Sequence, residues 1–282
     1  MIRYLYLGRV SYDDALRLQA ELVELRVQGR VGNVLLLLEH PPVLTLGRNA
    51  NRDNVLATDE MLAARGVTIH EINRGGDVTY HGPGQLVGYP IFDLRSLRNP
   101  KGARLGPVDF VRLMEEALIR FCGVYGVIAG RICGLTGVWC GLDTAKDSTE
   151  SLPHAVPGRK IGAIGIHVSR GVTSHGFAFN ITTDPRDFTL IVPCGITDRP
   201  VTSLQIEMGA RRAEVPSLEA AAEQVSRQFG LVFGEQVLAV ESLEALRAQA
   251  APVSTFPAED TPLQTPAEVE RLLGVKDRPV RA

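Results

Sequence analysis

The alternation of apolar and polar residues divides the first part of the chain into two kinds of element. Residues 2–7 alternate as a strand does, and residues 33–39 are apolar almost throughout, which is typical of a buried strand. Between them Ser11 begins a helix whose apolar stripe repeats every three to four residues and ends near Gly29. A short strand is predicted at residues 43–46.

The same periodicities predict the later elements. Helices are expected at residues 59–64, from about 107, and at 217–229, and strands at 67–72, 86–94, 127–132, 138–141, 159–168 and 172–181. The last two strands flank Ser169-Arg170-Gly171, a three-residue loop with glycine that indicates a β-hairpin. Strands and helices in irregular order, without strict βαβ alternation, predict an α+β fold with mixed β-sheets and flanking helices.

A glycine-rich stretch from residue 74 organises the chain. Gly75 and Gly76 can take positive φ and let a ligand approach the backbone closely, and Gly82-Pro83-Gly84 is a turn sequence. We expect a strand, a glycine-lined loop and a second strand here. The donors that this loop presents are Arg74, Thr79, Tyr80 and His81. The residues alone fit an ordinary glycine-rich hairpin equally well.

Composition restricts the class of protein. The chain has 282 residues, 45% of them hydrophobic, which is enough for a full core. Its formal charge of −2 and the absence of a long basic run argue against nucleic-acid binding. The longest apolar run, residues 34–38, is far shorter than the roughly 20 residues that span a membrane, and the first residues lack a signal-peptide pattern. We therefore expect a cytoplasmic protein that binds neither nucleic acid nor membrane.

The pattern also predicts two domains, a main domain at residues 1–240 and a helical and linker extension at 241–282. Residues 251–264 are rich in Pro, Ala, Ser and Thr and are interpreted as a linker. A capping box begins a helix at Thr265, and Gly274 ends it. Residues 142–157, with a charged run and two prolines, are predicted to be an exposed excursion.

Cysteine supplies the candidate chemistry. The chain has Cys122, Cys133, Cys140 and Cys194. They show neither a Cys-x-x-Cys pair nor a histidine partner at zinc-like spacing, so no metal site is predicted. The first three stand in apolar or glycine-bounded contexts and are interpreted as core or inert. Cys194 lies between a proline and a glycine, hence on a turn, from which its sulfur can face a pocket.

Four ordered motifs resemble those of the lipoyl(octanoyl) transferases. Residues 74–85 read RGGDVTYHGPGQ, similar to the family's signature, and residues 160–165 read KIGAIG, similar to its lysine strand. Residues 175–180 read HGFAFN, similar to its next strand, and residues 193–196 read PCGI, similar to its nucleophile turn. The resemblance covers about residues 1–235 and implies the fold of the biotin/lipoate protein ligases. Those lipoate ligases share a related glycine loop, and Cys194 together with Lys160 separates the transferases from them.

The resemblance implies an acyltransferase that moves an octanoyl (or lipoyl) group from acyl carrier protein to a lysine of lipoyl-domain proteins, the first step of de novo protein lipoylation. The implied acceptors are the lipoyl domains of 2-oxoacid dehydrogenase complexes and the glycine cleavage H protein. Cys194 is the implied nucleophile that carries the acyl thioester, and Lys160 is the partner that stabilises its thiolate and shuttles protons. An amide lies downhill of a thioester, so no cofactor, metal or ATP is expected.

The resemblance also implies an acyl-binding pocket. Its residues are Arg74, Gly75, Gly76, Asp77, Val78, Thr79, Tyr80, His81, Ala163, Ile164, Gly165, Gly176, Phe177 and Ala178. Three other functions stay open: an ATP-dependent lipoate ligase, a non-catalytic protein that binds acyl carrier protein or lipoyl domains, and a thiol hydrolase with His81 or His175 as base. In purely structural interpretations, His81 braces the turn and His175 is a hydrogen-bonded strand histidine.

Overall fold

The computed structural model describes residues 1–98, 102–142 and 158–249. Three predicted features lie outside the described residues: all but the first residue of the 142–157 excursion, the linker at 251–264, and the capped helix from Thr265. These features stay predictions, as does the domain boundary at 240/241.

The helices and strands follow one another irregularly. The helices of the described residues are α1 (Tyr12–Val27), α2 (Asp59–Ala64), α3 (Pro107–Val124), α4 (Leu204–Glu207), α5 (Leu218–Phe233) and α6 (Leu243–Gln249). The strands are β1 (Ile2–Arg9), β2 (Asn33–Glu39), β3 (Val43–Leu46), β4 (Thr68–Glu71), β5 (Val78–His81), β6 (Gln85–Ile91), β7 (Ala129–Ile132), β8 (Leu135–Cys140), β9 (Arg159–Ser169), β10 (Val172–Asn180) and β11 (Val237–Ala239).

Eight of these strands form one mixed sheet in the order β11-β1-β2-β6-β10-β9-β8-β7. Strand β1 runs parallel to β2 and β11, whereas the other neighbours in this sheet are antiparallel. The remaining three form a small sheet in the order β4-β3-β5. The predicted α+β fold with mixed β-sheets and flanking helices is confirmed.

Strand β2 shows how the large sheet is covered. Leu35 and Leu37 belong to an apolar cluster with α3 and α5, and Leu36 and Leu38 belong to a second cluster with α1 and α6. All four side chains are fully buried, because successive side chains of a strand point to opposite faces. The predicted buried strand is confirmed, and its continuous apolar run reflects helices on both faces of the sheet.

Helix α6 completes the second of these clusters. Leu246 is fully buried there. Next to it, Arg247 forms an ion pair with Glu21 of α1 at 2.7 Å. Residues just beyond position 240 thus pack on the large sheet.

The glycine-rich stretch contains a strand where a loop was predicted. Val78–His81 forms β5, antiparallel to β3, with Tyr80 opposite Leu44. The loop prediction was wrong because glycine density dominated the interpretation, although Val-Thr-Tyr strongly favours strand. The result places alternate residues of this segment on opposite faces, which decides which of them reach the site.

Other predicted boundaries shift by a few residues for local reasons. Strand β6 ends at Ile91, because Asp93 caps a 3₁₀ turn with its side chain. Helix α5 continues to Phe233, where Gly234 ends it with φ 66°. The predicted β9–β10 hairpin is confirmed, and Gly171 in its turn has φ 84°.

No helix among the described residues combines the length and the apolar character needed to cross a bilayer.

Candidate functional site

Cys194 lies on the tight turn Pro193–Gly195, as the sequence predicted. Its backbone has φ 57° and ψ 23°, a left-handed conformation that non-glycine residues seldom adopt. A residue in such a conformation costs about 1 kcal/mol or more and persists where its surroundings hold it. The side chain is half-buried, so its sulfur is neither sealed in the core nor free in solvent.

Lys160 brings an amine to this sulfur. Its Nζ donates a hydrogen bond to Cys194 Sγ at 3.1 Å, although 34 positions separate the two residues. Two backbone hydrogen bonds fasten the lysine, one from its N–H to the carbonyl of Pro200 (2.8 Å) and one from the N–H of Thr202 to its carbonyl (2.9 Å). Only 8% of Lys160 is exposed. The two predicted catalytic residues therefore lie in direct contact.

A narrow cleft of about 480 Å³, including its open mouth, adjoins the sulfur. Its walls come from the start of α1, the glycine-rich segment, β6, and the hairpin of β9 and β10. The lining residues are Tyr12, Arg74, Gly75, Gly76, Asp77, Thr79, His81, Tyr89, Ala163, Ile164, Gly165, His175, Gly176, Phe177, Ala178 and Cys194.

Twelve of the fourteen predicted pocket residues line this cleft, and Val78 and Tyr80 do not. These two side chains belong to a separate apolar cluster with Phe188 and Leu190. The Tyr80 hydroxyl donates to Asp187 there. Because β5 is a strand, Val78 and Tyr80 point away from the face that carries Thr79. That the lining residues bind substrate stays a prediction.

At Gly165 and Gly176 the wall of the cleft consists of backbone. They lie opposite each other in the β9–β10 ladder. A methyl group at Gly165 would lie 2.6 Å from the carbonyl oxygen of Gly75, and one at Gly176 would lie 2.1 Å from that of Gly88. Both distances are shorter than van der Waals contact, so only glycine allows these backbones to approach so closely.

Asp77 fastens the nucleophile turn. Its Oδ1 accepts a hydrogen bond from the backbone N–H of Asn51 (3.0 Å), and its Oδ2 accepts one from the side-chain amide of Asn54. The carbonyl of Asn54 in turn accepts from the N–H of Val192 at 2.7 Å, two residues before Cys194. The carboxylate predicted to contact substrate is thus also engaged in holding the segment that presents the sulfur.

Arg74 adds a buried positive charge. Its Nη2 donates to both the carbonyl and the hydroxyl of Thr45 at 2.8 Å. Burial lowers the pKa of Arg74, but a guanidinium stays charged in proteins. Among the described residues, no carboxylate lies within ion-pair distance of it. Arg74 and Cys194 line the same cleft.

The two candidate histidine bases are neutral and bonded elsewhere. His81 Nδ1 lies 2.7 Å from Gln85 Oε1, and His175 Nε2 lies 2.8 Å from Asn73 Oδ1. Burial lowers the pKa of His81 to about 3 and that of His175 to about 4. Among the described residues, neither ring is hydrogen-bonded to Cys194, whereas Lys160 is. This geometry favours Lys160 as the partner of the thiol.

The buried histidines predict that stability depends on pH. Besides His81 and His175, His40 is buried, and burial lowers the pKa of His40 to about 4. Each is neutral when folded but takes up a proton near pH 6.5 when unfolded. Stability is therefore fully present above pH 6.5 and falls as the pH drops toward 4. Between pH 7.5 and 5, we expect the free energy of unfolding to decrease by about 2 kcal/mol for each buried histidine.

Urea denaturation at the two pH values measures this change. His40→Gln should lose stability at pH 7.5 but show a smaller difference between the two pH values. A free energy of unfolding that does not change from pH 7.5 to 5 would contradict the buried, neutral state of these rings.

The other cysteines lie away from the cleft. Cys122 and Cys140 are fully buried in the core, and hydrogen bonding to Cys140 together with burial raises the pKa of Cys122. Cys133 is exposed in the turn between β7 and β8. The first three cysteines were predicted to be core or inert, and Cys133 is not in the core. Among the described residues, no group of three or more Cys, His, Asp or Glu side chains is arranged to hold a metal ion.

Three aromatic residues at the site were not predicted from the sequence. Tyr12 and Tyr89 line the cleft from α1 and β6, and Tyr89 hydrogen-bonds to His40 at 2.7 Å. Trp139 lies beneath Lys160, with Nζ 5.0 Å from the ring centroid. No local motif marks the tyrosines, but Trp139 is the single tryptophan of the chain, and that signal was available.

Three comparisons place the chain among known proteins. Residues 11–230 match the model of the lipoyl protein ligase A/B catalytic domain. The octanoyltransferase of Acidobacterium capsulatum is 58% identical, over 86% of this chain and 94% of that protein. The octanoyltransferase of Koribacter versatilis is 51% identical, over 96% and 97%.

The fold has solved counterparts. The bipartite lipoate protein ligase of Thermoplasma acidophilum, solved in a study that includes its E2 lipoyl domain, superimposes with a TM-score of 0.60. That match covers 88% of this chain and 89% of the ligase, at 15% sequence identity. The predicted likeness to the lipoate ligase fold is thereby confirmed. By the family match and the identity to these relatives, the chain belongs to the lipoyl protein ligase A/B family and, within it, to the octanoyltransferases.

Proposed function

We propose that this protein transfers an octanoyl group from a carrier thioester to a lysine side chain through a thioester on Cys194. The observation that carries the proposal is the 3.1 Å contact between Lys160 Nζ and the Sγ of Cys194, which lines the cleft. A thiolate is the reactive form of cysteine, and an adjacent ammonium stabilises it.

In the first half-reaction, the Cys194 thiolate attacks the carbonyl carbon of the octanoyl thioester. The new C–S bond forms as the C–S bond to the carrier breaks. The departing carrier thiolate takes a proton from the Lys160 ammonium, which becomes a neutral amine. The acyl group is then held on Cys194.

In the second half-reaction, the neutral amine of the acceptor lysine attacks the Cys194 thioester. An amide bond forms, and the C–S bond to Cys194 breaks. Lys160 accepts the proton that the attacking nitrogen loses, so the ammonium and the thiolate are both restored. Every proton and bond is accounted for without ATP or a metal.

The shape of the cleft supports a straight alkyl chain as the acyl group. Its walls at Gly75, Gly165 and Gly176 are backbone, and methyl groups at the last two would collide with neighbouring carbonyls. Such a wall admits a narrow chain lying along the sheet and excludes a branched one. The twelve predicted pocket residues that line the cleft are proposed to contact this chain.

The proposed partners follow from the relatives. The donor is octanoyl-acyl carrier protein, and the acceptors are the lipoyl domains of 2-oxoacid dehydrogenase complexes and the glycine cleavage H protein. Support comes from the curated relatives named octanoyltransferase and from the fold shared with a lipoate ligase studied with its E2 lipoyl domain.

Transfer without ATP is the test of this function. We expect the protein to move octanoate from octanoyl-carrier to a purified lipoyl domain in the absence of nucleotide, measured by mass spectrometry of the domain. Free octanoate with ATP and Mg²⁺ should give no product. Product only from free octanoate with ATP would identify a ligase, release of free octanoate a hydrolase, and binding without product a scaffold.

A further inference from the structure

The ammonium of Lys160 lies between a sulfur and an aromatic ring. Trp139 is fully buried on β8, and Lys160 Nζ lies 5.0 Å from its ring centroid. The same Nζ donates to Cys194 Sγ at 3.1 Å. A cation within about 6 Å of the face of an aromatic ring is attracted by the ring's electron distribution. The ring and the sulfur together fix where the amine lies.

Strand β9 carries one extra residue, Ile161, where it meets this ring. Val138 lies opposite Gly162, but the register with β9 shifts before Trp139, which lies opposite Lys160. A bulge of this kind re-aims a side chain. On β8, Gly137 has φ 129°, and a methyl group there would lie 3.0 Å from Lys160 Cε. The backbone of β8 thus leaves room for the lysine side chain to lie along the ring.

Filling the core does not explain a tryptophan here. The Nε1 of Trp139 is buried and has no hydrogen-bond partner among the described residues. An unpaired buried N–H destabilises the fold, and phenylalanine would fill an apolar site without that cost. Tryptophan, however, attracts a cation more strongly than phenylalanine does.

A second cation lies near the same ring. The guanidinium carbon of Arg199 is 5.9 Å from the Trp139 centroid, and in the described part of the chain Arg199 forms an ion pair with Asp198 at 3.9 Å. Among the described residues, no carboxylate lies within ion-pair distance of Lys160. When the thioester forms, Cys194 loses its negative charge. Lys160 Nζ and the Arg199 guanidinium carbon, 5.0 and 5.9 Å from the same ring centroid, then lie within about 11 Å of each other, and a like charge disfavours the ammonium.

We propose that Trp139 is a positioning residue that holds Lys160 Nζ against Cys194, and that Arg199 helps to keep Lys160 neutral in the acyl-enzyme, ready to accept the proton of the attacking amine. The inference rests on the proposed function, because it assigns these two residues to the two half-reactions. Trp139 serves the thiolate and both proton transfers, whereas Arg199 serves the second half-reaction alone.

Alkylation of Cys194 by iodoacetamide tests the first part without any acyl substrate. In Trp139→Leu, alkylation at pH 7 should slow about fivefold and its pH profile should move to higher pH, with Trp139→Phe between this variant and wild type. The kcat for transfer should fall about tenfold in Trp139→Leu, with the KM for octanoyl-carrier within about twofold. The matched control is Phe121→Leu, another fully buried aromatic residue. It should lower the unfolding temperature but leave the alkylation profile in place.

Single-turnover kinetics test the second part. In Arg199→Gln, formation of the acyl-enzyme should keep its rate within about twofold, whereas amide formation at pH 7 should slow several-fold and recover near pH 9. Arg199→Lys, which keeps the charge, should behave as wild type. Equal slowing of both half-reactions, or slowing that pH does not relieve, would overturn the role of Arg199.

Wild-type alkylation and transfer rates in Trp139→Leu would overturn the role of Trp139. If that variant does not fold, wild-type values in Trp139→Phe would overturn it equally. If the wild-type protein forms no octanoyl thioester on Cys194 after incubation with octanoyl-carrier, the proposed function is refuted instead. The alkylation profile would still decide whether Trp139 positions Lys160.

Discussion

Replacing Cys194 with alanine is expected to abolish transfer from octanoyl-carrier to a lipoyl domain. The loss should be on the order of 10³-fold or more, because the variant has no nucleophile to carry the acyl group between the two partners. Positioning alone leaves only direct attack of the acceptor amine on the carrier thioester. The measurement is the initial rate of octanoyl-domain formation, with the fold checked by circular dichroism.

The matched control is Cys133→Ala. Cys133 is exposed, in a turn away from the cleft, so its removal should leave the rate within about twofold. Substantial transfer by Cys194→Ala would contradict the thioester route. Transfer by that variant only with ATP and free octanoate would favour the ligase.

Substitutions of Lys160 are expected to separate its electrostatic role from its proton transfer. Lys160→Met keeps much of the side-chain volume but removes the charge. An unassisted thiol has a pKa of about 8.5 and is only a few per cent thiolate at neutral pH, so alkylation of Cys194 near pH 7 should slow about tenfold or more. Raising the pH should restore alkylation but not transfer, because the proton acceptor for the incoming amine is absent.

Lys160→Arg provides the complementary variant. A guanidinium stays charged and cannot accept a proton. Alkylation of Cys194 should therefore be retained in this variant, whereas transfer to the lipoyl domain should stay low at every pH. Unchanged alkylation of Lys160→Met between pH 5 and 10 would refute the electrostatic role. Substantial transfer by Lys160→Arg would refute the proton-transfer role.

Local sequence patterns predicted correctly those helices and strands in which the local preference and the tertiary contacts favour the same structure. Strand β2 was predicted with its observed bounds, because residues 33–39 are apolar enough to be buried under helices on both faces. Helix α1 was predicted from its stripe and from Ser11, which caps it by accepting a hydrogen bond from the N–H of Asp14. In both elements, local preference and tertiary burial favour the same structure.

The prediction failed where a local signal competed with tertiary pairing. The glycines around residues 75–84 obscured β5, which exists because Val78–His81 pairs with β3. The family resemblance implied that all of residues 74–81 line the acyl pocket, whereas the strand turns Val78 and Tyr80 away from the cleft, since a strand assigns alternate residues to opposite faces.

The pairing of the site residues is not a local property of the sequence. Thirty-four positions separate Lys160 from Cys194, and only the family resemblance predicted that they act together. Trp139 joins them through the pairing of β8 with β9, at a bulge in β9. Asp77 acts on the nucleophile turn through Asn54. Such contacts arise from packing between elements, which periodicity and turn signals do not encode.

The most direct test of the account is intact-mass spectrometry of the protein after incubation with octanoyl-carrier and no acceptor. The account predicts a gain of one octanoyl group, located by digestion on Cys194 and lost on addition of a lipoyl domain as that domain gains the same mass. Incubation of the Cys194→Ala variant should give no adduct. An adduct on Cys122, Cys133 or Cys140, or transfer to the domain with no adduct on Cys194, would contradict it.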